Sequence, residues 1–416
     1  VTTDEPIAKV ALRPHGEAGL TVRFAFPPTE QTVDLPLPNR RPLEEAQGNA
    51  GRYLTEVVSK ALRMPGSVES ATEALRVLLG SGRELLRILT QDDSDLQLEL
   101  EDAFRAAWPT FRDIDWNDAN ALVPLVQVEG KHATFPFELL PLFDFGPFPS
   151  VRTVADLAGA AARFLGFAAV VERDVAQSRP GDKILRASPK LPVQLVRHRS
   201  LGKSDVAFLE GLDSRIELDG PWPDGEAQTE VAEALIEALY RPATRRLTAT
   251  SQSTTPIQIH HFAGHCDTTP KDNRDYKLGI TTRRGKGRTI KFGDLKDGYD
   301  DRLSIDRARG AERAVIVLNA CASSHIDPTS ASSFPRWFLG HGHRAFVGTE
   351  TDIPEAVAGG YCTRLYARLL EPCPLGEAVL RARRDLLQDA QNPLGILYVM
   401  YGDSDLKLED AAEYAA

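Results

Sequence analysis

The spacing of hydrophobic and polar positions changes several times along this chain, and each change marks an element. "AKVAL" and "LTVRFAF" alternate by two within residues 8–34, which predicts short strands parted by the turn-like run "RPHGEAG". "LPLPNRRP" then breaks regular structure. Across residues 46–95 apolar residues recur at three and four, in "GRYLTEVVSKALRM" and "SVESATEALRVLLGSGRELLRIL", which predicts helices. These segments do not repeat one another at a fixed period, so a helical-repeat array is not supported.

Past about residue 118 short apolar runs alternate with helical patterns. "LVPLVQV", "LPVQLVRH", "PIQIHHFAGH", "AVIVLNAC", "RAFVGT" and "LGILYVMYGD" read as strands. "VADLAGAAARFLGFAAVVERD", "GEAQTEVAEALIEAL", "EAVAGGYCTRLYARLL" and "GEAVLRARRDLLQDA" read as helices. Strands separated by helices of this length predict an α/β fold, a mostly parallel sheet flanked by helices. At about 268–310 the pattern is interrupted by "TTPKDNRDYKLGITTRRGKGRTIKFGDLKDGYDDR", read as an insertion too charged and glycine-rich for a core element. The expected layout is an accessory or regulatory strand-plus-helix region over 1–117 and a larger domain over 118–416.

Composition narrows the functional classes. Apolar residues make up 42% and charged residues 26% of 416, an ordinary globular balance. With 59 acidic and 49 basic residues the formal net charge is -10, which disfavours nucleic acid as a direct partner. The opening "VTTDEPIAKVALRP" is too polar for a signal peptide, and no apolar run is long enough to span a bilayer, so no membrane partner is expected. Cys266, Cys321, Cys362 and Cys373 form no staple-like pattern, which fits a reducing cytoplasm. "SLGKSD" at 200–205 lacks the glycines of a phosphate loop, and no cofactor is expected.

The chemistry collects at two strand ends. His265 follows "IQIHHFAG", and Cys321 follows "AVIVLNA". Parallel sheets place their sites beyond the carboxyl ends of the strands. If the two strands are neighbours, the imidazole can activate the thiol and later protonate a leaving amine. Small residues around the thiol, Ala320, Ala322, Ser323 and Ser324, leave room for a peptide, and amides near Cys321 and after Gly264 can serve an oxyanion. The bland readings stand beside this one. A cysteine after an apolar strand is commonly a small buried hydrophobe, and His260 and His261 read as structural, one packed and one hydrogen-bonded. Zinc on His261, His265 and Cys266, with His325 or Cys321, is the competing chemistry. Adjacent His265 and Cys266 make awkward tetrahedral neighbours, and no C-x-x-C or H-E-x-x-H pair accompanies them, so no metal is assigned.

"IHHFAGHC" and "VIVLNACASS" together resemble the CHAT family, caspase-like cysteine peptidases of clan CD found in bacteria. The resemblance continues in "FPFELL" at 135–140, "FLGHGHRAFVGTETDIP", "LYARLL", "GEAVLRARRDLL" and "VMYGDSD", and spans roughly 118–410. It implies a caspase-like fold, Cys321 as nucleophile and His265 as general base. It further implies cleavage of one protein target, in the setting of bacterial defence. Gly264, Cys266 and Ala322 fall near the site, and Cys266 stands where the family usually has glycine. Asn319, two residues before the nucleophile, and Glu350 and Asp352 in "GTETDIP" are candidates for the substrate pocket, with N-terminal capping of the next helix as the other reading of Asp352. An activating partner is expected to act through 1–117 or the insertion. The alternative is a catalytically weak caspase-like fold that serves as a protein-binding module.

Overall fold

The computed structural model describes residues 5–15, 19–39, 41–110, 116, 118, 121–130, 135–142, 146–175, 183–187, 190–198, 209, 211–212, 214–220, 228–239, 257–267, 276–281, 287–302, 313–320, 334–371 and 373–409. The chain divides into two compact units. One comprises Val1–Val175 and Gly376–Tyr398; the other comprises Ala176–Leu375 and Val399–Ala416.

In the first unit β1 (Ala8–His15), β2 (Gly19–Phe26) and β3 (Gln31–Leu37) form an antiparallel meander. Every second residue is buried: Val10 and Leu12, then Leu20, Val22, Phe24 and Phe26, then Val33, Leu35 and Leu37. That period of two puts one face on the core and the other toward solvent. On the outer face Arg23 and Asp34 sit directly opposite and pair through two hydrogen bonds of 2.7 and 2.6 Å. β3 runs through the segment expected to break regular structure. It tolerates Pro36 because it is an edge strand.

Helices α1 (Arg41–Arg63), α2 (Val68–Thr90) and α3 (Ser94–Ala107) follow. The Ser67 and Asp93 side chains accept from the first free amides of α2 and α3. Phe104 of α3 meets Phe24 and Phe26 edge-on at 6.0 and 4.9 Å. β4 (Leu125–Glu129) then pairs parallel with β1, and β5 (Val170–Asp174) pairs parallel with β4. The expected boundary at 117/118 therefore lies inside this unit, since β1 from one side of it pairs with β4 from the other. The helix expected over "VADLAGAAARFLGFAAVVERD" is shorter than its pattern. It is α4 (Val154–Ala161) and α5 (Leu165–Ala168), and "VVERD" is β5, because β-branched Val170 and Val171 enter the ladder beside β4.

Two motifs of the family resemblance meet in this core. Glu138 of "FPFELL" is ion-paired with Arg173 of β5, both side chains almost wholly buried. Arg383, on the helix Leu375–Ala390, lies 3.9 Å from the same carboxylate and donates to the Gly166 carbonyl at 2.7 Å. Arg384 donates to the carbonyls of Phe167 and Ala168 at 2.8 and 3.0 Å, closing the end of α5. Burial pushes the Arg384 guanidinium down to about 9.

The second unit contains β6 (Ile184–Leu185), β7 (Leu191–Arg197), β8 (Ile216–Asp219), α6 (Gln228–Leu239), β9 (Ile259–Ala263), β10 (His265–Asp267), β11 (Lys277–Thr281), β12 (Gly287–Lys291), α7 (Phe292–Arg302), β13 (Val315–Asn319), α8 (Phe334–Gly340), β14 (Ala345–Thr349), α9 (Glu355–Leu369), β15 (Tyr398–Gly402) and β16 (Lys407–Leu408). Its main sheet runs in the order β15-β14-β13-β9-β7-β8, and the pairs from β14 to β8 are parallel. This is the α/β sheet the strand–helix alternation predicts. β16 pairs with β6, and Asp403 of "VMYGDSD" binds the Arg344 carbonyl through its amide at 3.1 Å. Arg344, itself buried, donates to Arg313, Ile184 and Gln258 at 2.9, 2.6 and 3.0 Å.

The 268–310 segment differs from expectation. Its described residues include two strands and a helix rather than solvated loop, with Tyr276, Leu278, Ile280, Ile290, Phe292 and Leu295 buried. The two-residue alternation of Tyr276, Leu278 and Ile280 is concealed by the charges between and around it.

Candidate active site

The parallel register places Val315 beside Ile259 and Asn319 beside Ala263, so β9 and β13 end together. β14 lies on the far side of β13, with Leu318 beside Gly348. β7 lies on the other side of β9, with Arg197 beside Ala263. Four carboxyl ends thus stand in a row: β7, β9, β13 and β14. That row is where a parallel sheet offers a binding crevice.

Beyond Ala263 the backbone is held on both sides. The Gly264 amide donates to the Asn319 carbonyl at 3.4 Å. A Cβ on Gly264 would lie 2.5 Å from the Gly279 carbonyl oxygen, so only glycine permits this approach. The chain does not then turn into a loop. His265 opens β10, opposite Gly279 of β11, and β11 pairs with β12. The histidine two residues past the main-sheet strand β9 is therefore held by the β11–β12 pair of the segment expected to be an insertion. Its side chain is exposed, and Cys266 beside it is half-buried opposite Leu278.

The neighbouring histidines have other work. Both are fully buried, and both are hydrogen-bonded. His260 Nδ1 lies 2.8 Å from Gln194 Oε1, and His261 Nδ1 lies 3.1 Å from the Tyr366 hydroxyl. Burial pushes each imidazole down to about 3, so each is neutral near pH 7. His343 is likewise buried, its Nδ1 2.8 Å from the Ala314 carbonyl, and burial holds it well below its ordinary value. The order of the cluster is thus two interior rings and one exposed ring, His265.

Cys321 and Ala322 lie outside the described residues. Asn319 and Ala320, which lead to them, are buried. The Thr349 hydroxyl at the end of β14 donates to the Ala320 carbonyl at 2.8 Å. Glu350 is half-buried just past that strand and Asp352 is exposed. Asp352 is not the residue that precedes α9. Pro354 holds that position with no side-chain cap, and its carbonyl accepts the amides of Val357 and Ala358, each at 2.9 Å. Two residues of this region were not singled out from the sequence, Thr349 and His198. His198, just past β7, sets its ring edge-to-face with that of His265, centroids 5.0 Å apart and planes at 67°. The signal for both is a polar residue at the end of an apolar strand. The strands were read correctly, but their adjacency is not written in the sequence. Among the described residues no group of three His, Cys, Asp or Glu side chains is placed to hold a metal ion. Nor is any described helix long and apolar enough to cross a membrane.

The described residues form an α/β sheet flanked by helices, consistent with a caspase-like fold, with β9 and β13 ending side by side. Residues 217–406 match the CHAT domain, and a CHAT domain, of the clan CD caspase-like cysteine-peptidase family, is present over that span. Over 130 residues the chain is 31% identical to a probable protease of Vitiosangium sp. (strain GDMCC 1.1324). That match covers 30% of this chain and 17% of the relative, so the chain spans a small part of the relative's length. Among solved structures, the Saccharomyces cerevisiae separase–securin complex aligns over 97% of this chain and 30% of that chain, with 10% identity and a TM-score of 0.47. The complex of Porphyromonas gingivalis RgpB pro- and mature domains aligns over 76% of this chain and 70% of that chain, with 10% identity and a TM-score of 0.40.

Proposed function

We propose that this chain is a cysteine endopeptidase in which Cys321 is the nucleophile and His265 the general base. The observation that carries this reading is the register of β9 on β13. Ala263 and Asn319 are neighbours, and each proposed catalytic residue follows two positions later in its own segment. In the reaction His265 takes the thiol proton and the thiolate attacks the scissile carbonyl carbon. The tetrahedral oxyanion collapses as the imidazolium protonates the leaving amine. Water, deprotonated by His265, then attacks the thioester and releases the acid product and the thiol. Backbone amides near Cys266 and Ala322 serve the oxyanion. No metal or cofactor enters any step. The target is a specific protein, the setting is bacterial defence in the cytoplasm, and control comes from a partner acting through the N-terminal region or the β11–β12 hairpin.

Labelling tests the assignment. A biotinylated peptidyl acyloxymethyl ketone, incubated with the full chain and mapped by mass spectrometry, is expected to modify Cys321. Cys321→Ala is expected to remove the label and Cys266→Ala to keep it, while His265→Ala slows it by roughly 10²-fold. A label found on Cys266 alone, or one that C321A leaves in place, sinks the reading.

A further inference from the structure

We infer that His198 is a positioning residue for His265, holding the exposed imidazole in its working orientation through an edge-to-face contact. The inference rests on the peptidase reading above. Its basis is a contact between two side chains that the sequence sets 67 positions apart.

General-base catalysis depends on where the ring nitrogen points, and His198 bounds one side of the His265 ring. His198 follows β7, and its amide donates to the Ala263 carbonyl at 2.8 Å, one step beyond the β7–β9 ladder. Its backbone is therefore fixed to the strand that leads into His265. Its ring is half-buried, and the two centroids are 5.0 Å apart at 67°, the edge-to-face arrangement that aromatic rings favour.

The space for this contact is built by the facing strand. A Cβ on Gly279 would come within 3.3 Å of His198 Cδ2 and 3.6 Å of His265 Cβ. A side chain at 279 would thus crowd the His198 ring, whereas one at 264 would collide with the Gly279 carbonyl. Three adjacent backbones, β7, β9–β10 and β11, converge on one ring contact.

Inactivation kinetics with the same acyloxymethyl ketone, on full-length protein normalised to titratable sites, tests the role. His198→Ala is expected to lower the maximal inactivation rate roughly ten- to a hundredfold with the half-saturating concentration unchanged. His198→Phe, which keeps a flat ring edge, is expected to recover most of the rate, and His198→Asn little of it. A second measurement needs no catalysis. Modification of His265 by diethyl pyrocarbonate, followed by mass spectrometry, is expected to quicken several-fold in H198A and to return toward wild type in H198F. A wild-type chain that labels at Cys321 while H198A labels equally fast overturns the His198 assignment and leaves the peptidase reading standing. An unchanged His265 modification rate in H198A overturns it too. A wild-type chain that never labels, with the His265 rate still raised in H198A, overturns the peptidase reading and with it the catalytic role of the contact.

Discussion

The hydroxyl of Thr349 donates to the carbonyl of Ala320 at 2.8 Å, joining the end of β14 to the peptide bond that precedes Cys321. Both residues are buried, and each ends its strand run at the same side of the sheet. This bond anchors the approach to the proposed nucleophile from the side opposite His265. Thr349→Val keeps the shape and deletes the donor, leaving the Ala320 carbonyl without it. Expected is a stability loss of about 1–3 kcal/mol in denaturant titration, together with slower electrophile labelling of Cys321. Labelling at the wild-type rate in T349V would show that the anchor does not govern the thiol.

The pocket proposal turns on charge. Asn319 is buried and has no charge, so it cannot alone compensate removal of a basic side chain from water. Glu350 and Asp352 follow the adjacent strand end and supply negative charge. Cleavage of peptide libraries is expected to favour a basic or polar residue before the cut and to reject an acidic one. Asp352→Asn is expected to weaken the preference for a basic residue. A strong preference for aspartate or glutamate would count against the pocket.

Buried charge dominates the first unit. Glu138 is shared by Arg173 and, more distantly, Arg383, all three side chains at most 1% exposed. Removing the carboxylate strands guanidinium charge inside the core. Glu138→Ala is expected to cost about 3–5 kcal/mol, visible as a lower midpoint in thermal or denaturant unfolding. E138A unfolding at the wild-type midpoint would refute the packing role assigned to "FPFELL".

Acid sensitivity follows from the interior histidines. His260 and His261 are held down to about 3 by burial, from 6.5 in the unfolded chain, and His343 is lowered in the same direction. Below 6.5 the unfolded state binds protons that the folded state refuses, so stability falls as pH falls and is fully present above 6.5. His260 and His261 each cost about 1.4 kcal/mol per pH unit through the window from 6.5 toward 3, and His343 adds in the same direction. Unfolding free energies measured between pH 7 and pH 5 are expected to decline steeply, and His260→Asn is expected to flatten the slope. A pH-independent stability over that range would contradict the neutral, buried state of these rings.

Much of the sheet was legible because β7, β9, β13 and β14 are apolar runs bounded by polar residues, and the helices between them keep a clear period. His265 was singled out by its position after Gly264, whereas His260 and His261, expected as one packed and one hydrogen-bonded ring, are both buried and both hydrogen-bonded because the two faces of β9 are covered. Other features were hidden. The β11–β12 hairpin reads as solvated because Lys277, Arg288 and Lys291 crowd its short alternation, while Tyr276 and Phe292 at its ends pack against Phe334 of a helix distant in sequence. β5 reads as helix because the alanines before it carry a helical period into "VVERD". Thr349 and His198 act across strands that are distant in sequence, and no local pattern encodes which strand ends become neighbours.

The helix Leu375–Ala390 carries the partners of carbonyls placed some two hundred residues earlier, Gly166, Phe167 and Ala168. As a ribosome synthesises this chain, the first 175 residues emerge with those carbonyls and the Glu138 carboxylate still awaiting Arg383 and Arg384. The first unit therefore closes only when residues up to Tyr398 have been added, after the whole Ala176–Leu375 stretch of the second unit. A chain interrupted between Ala176 and Leu375 leaves the first unit without its final helix, and nascent-chain release before residue 376 yields no finished N-terminal unit.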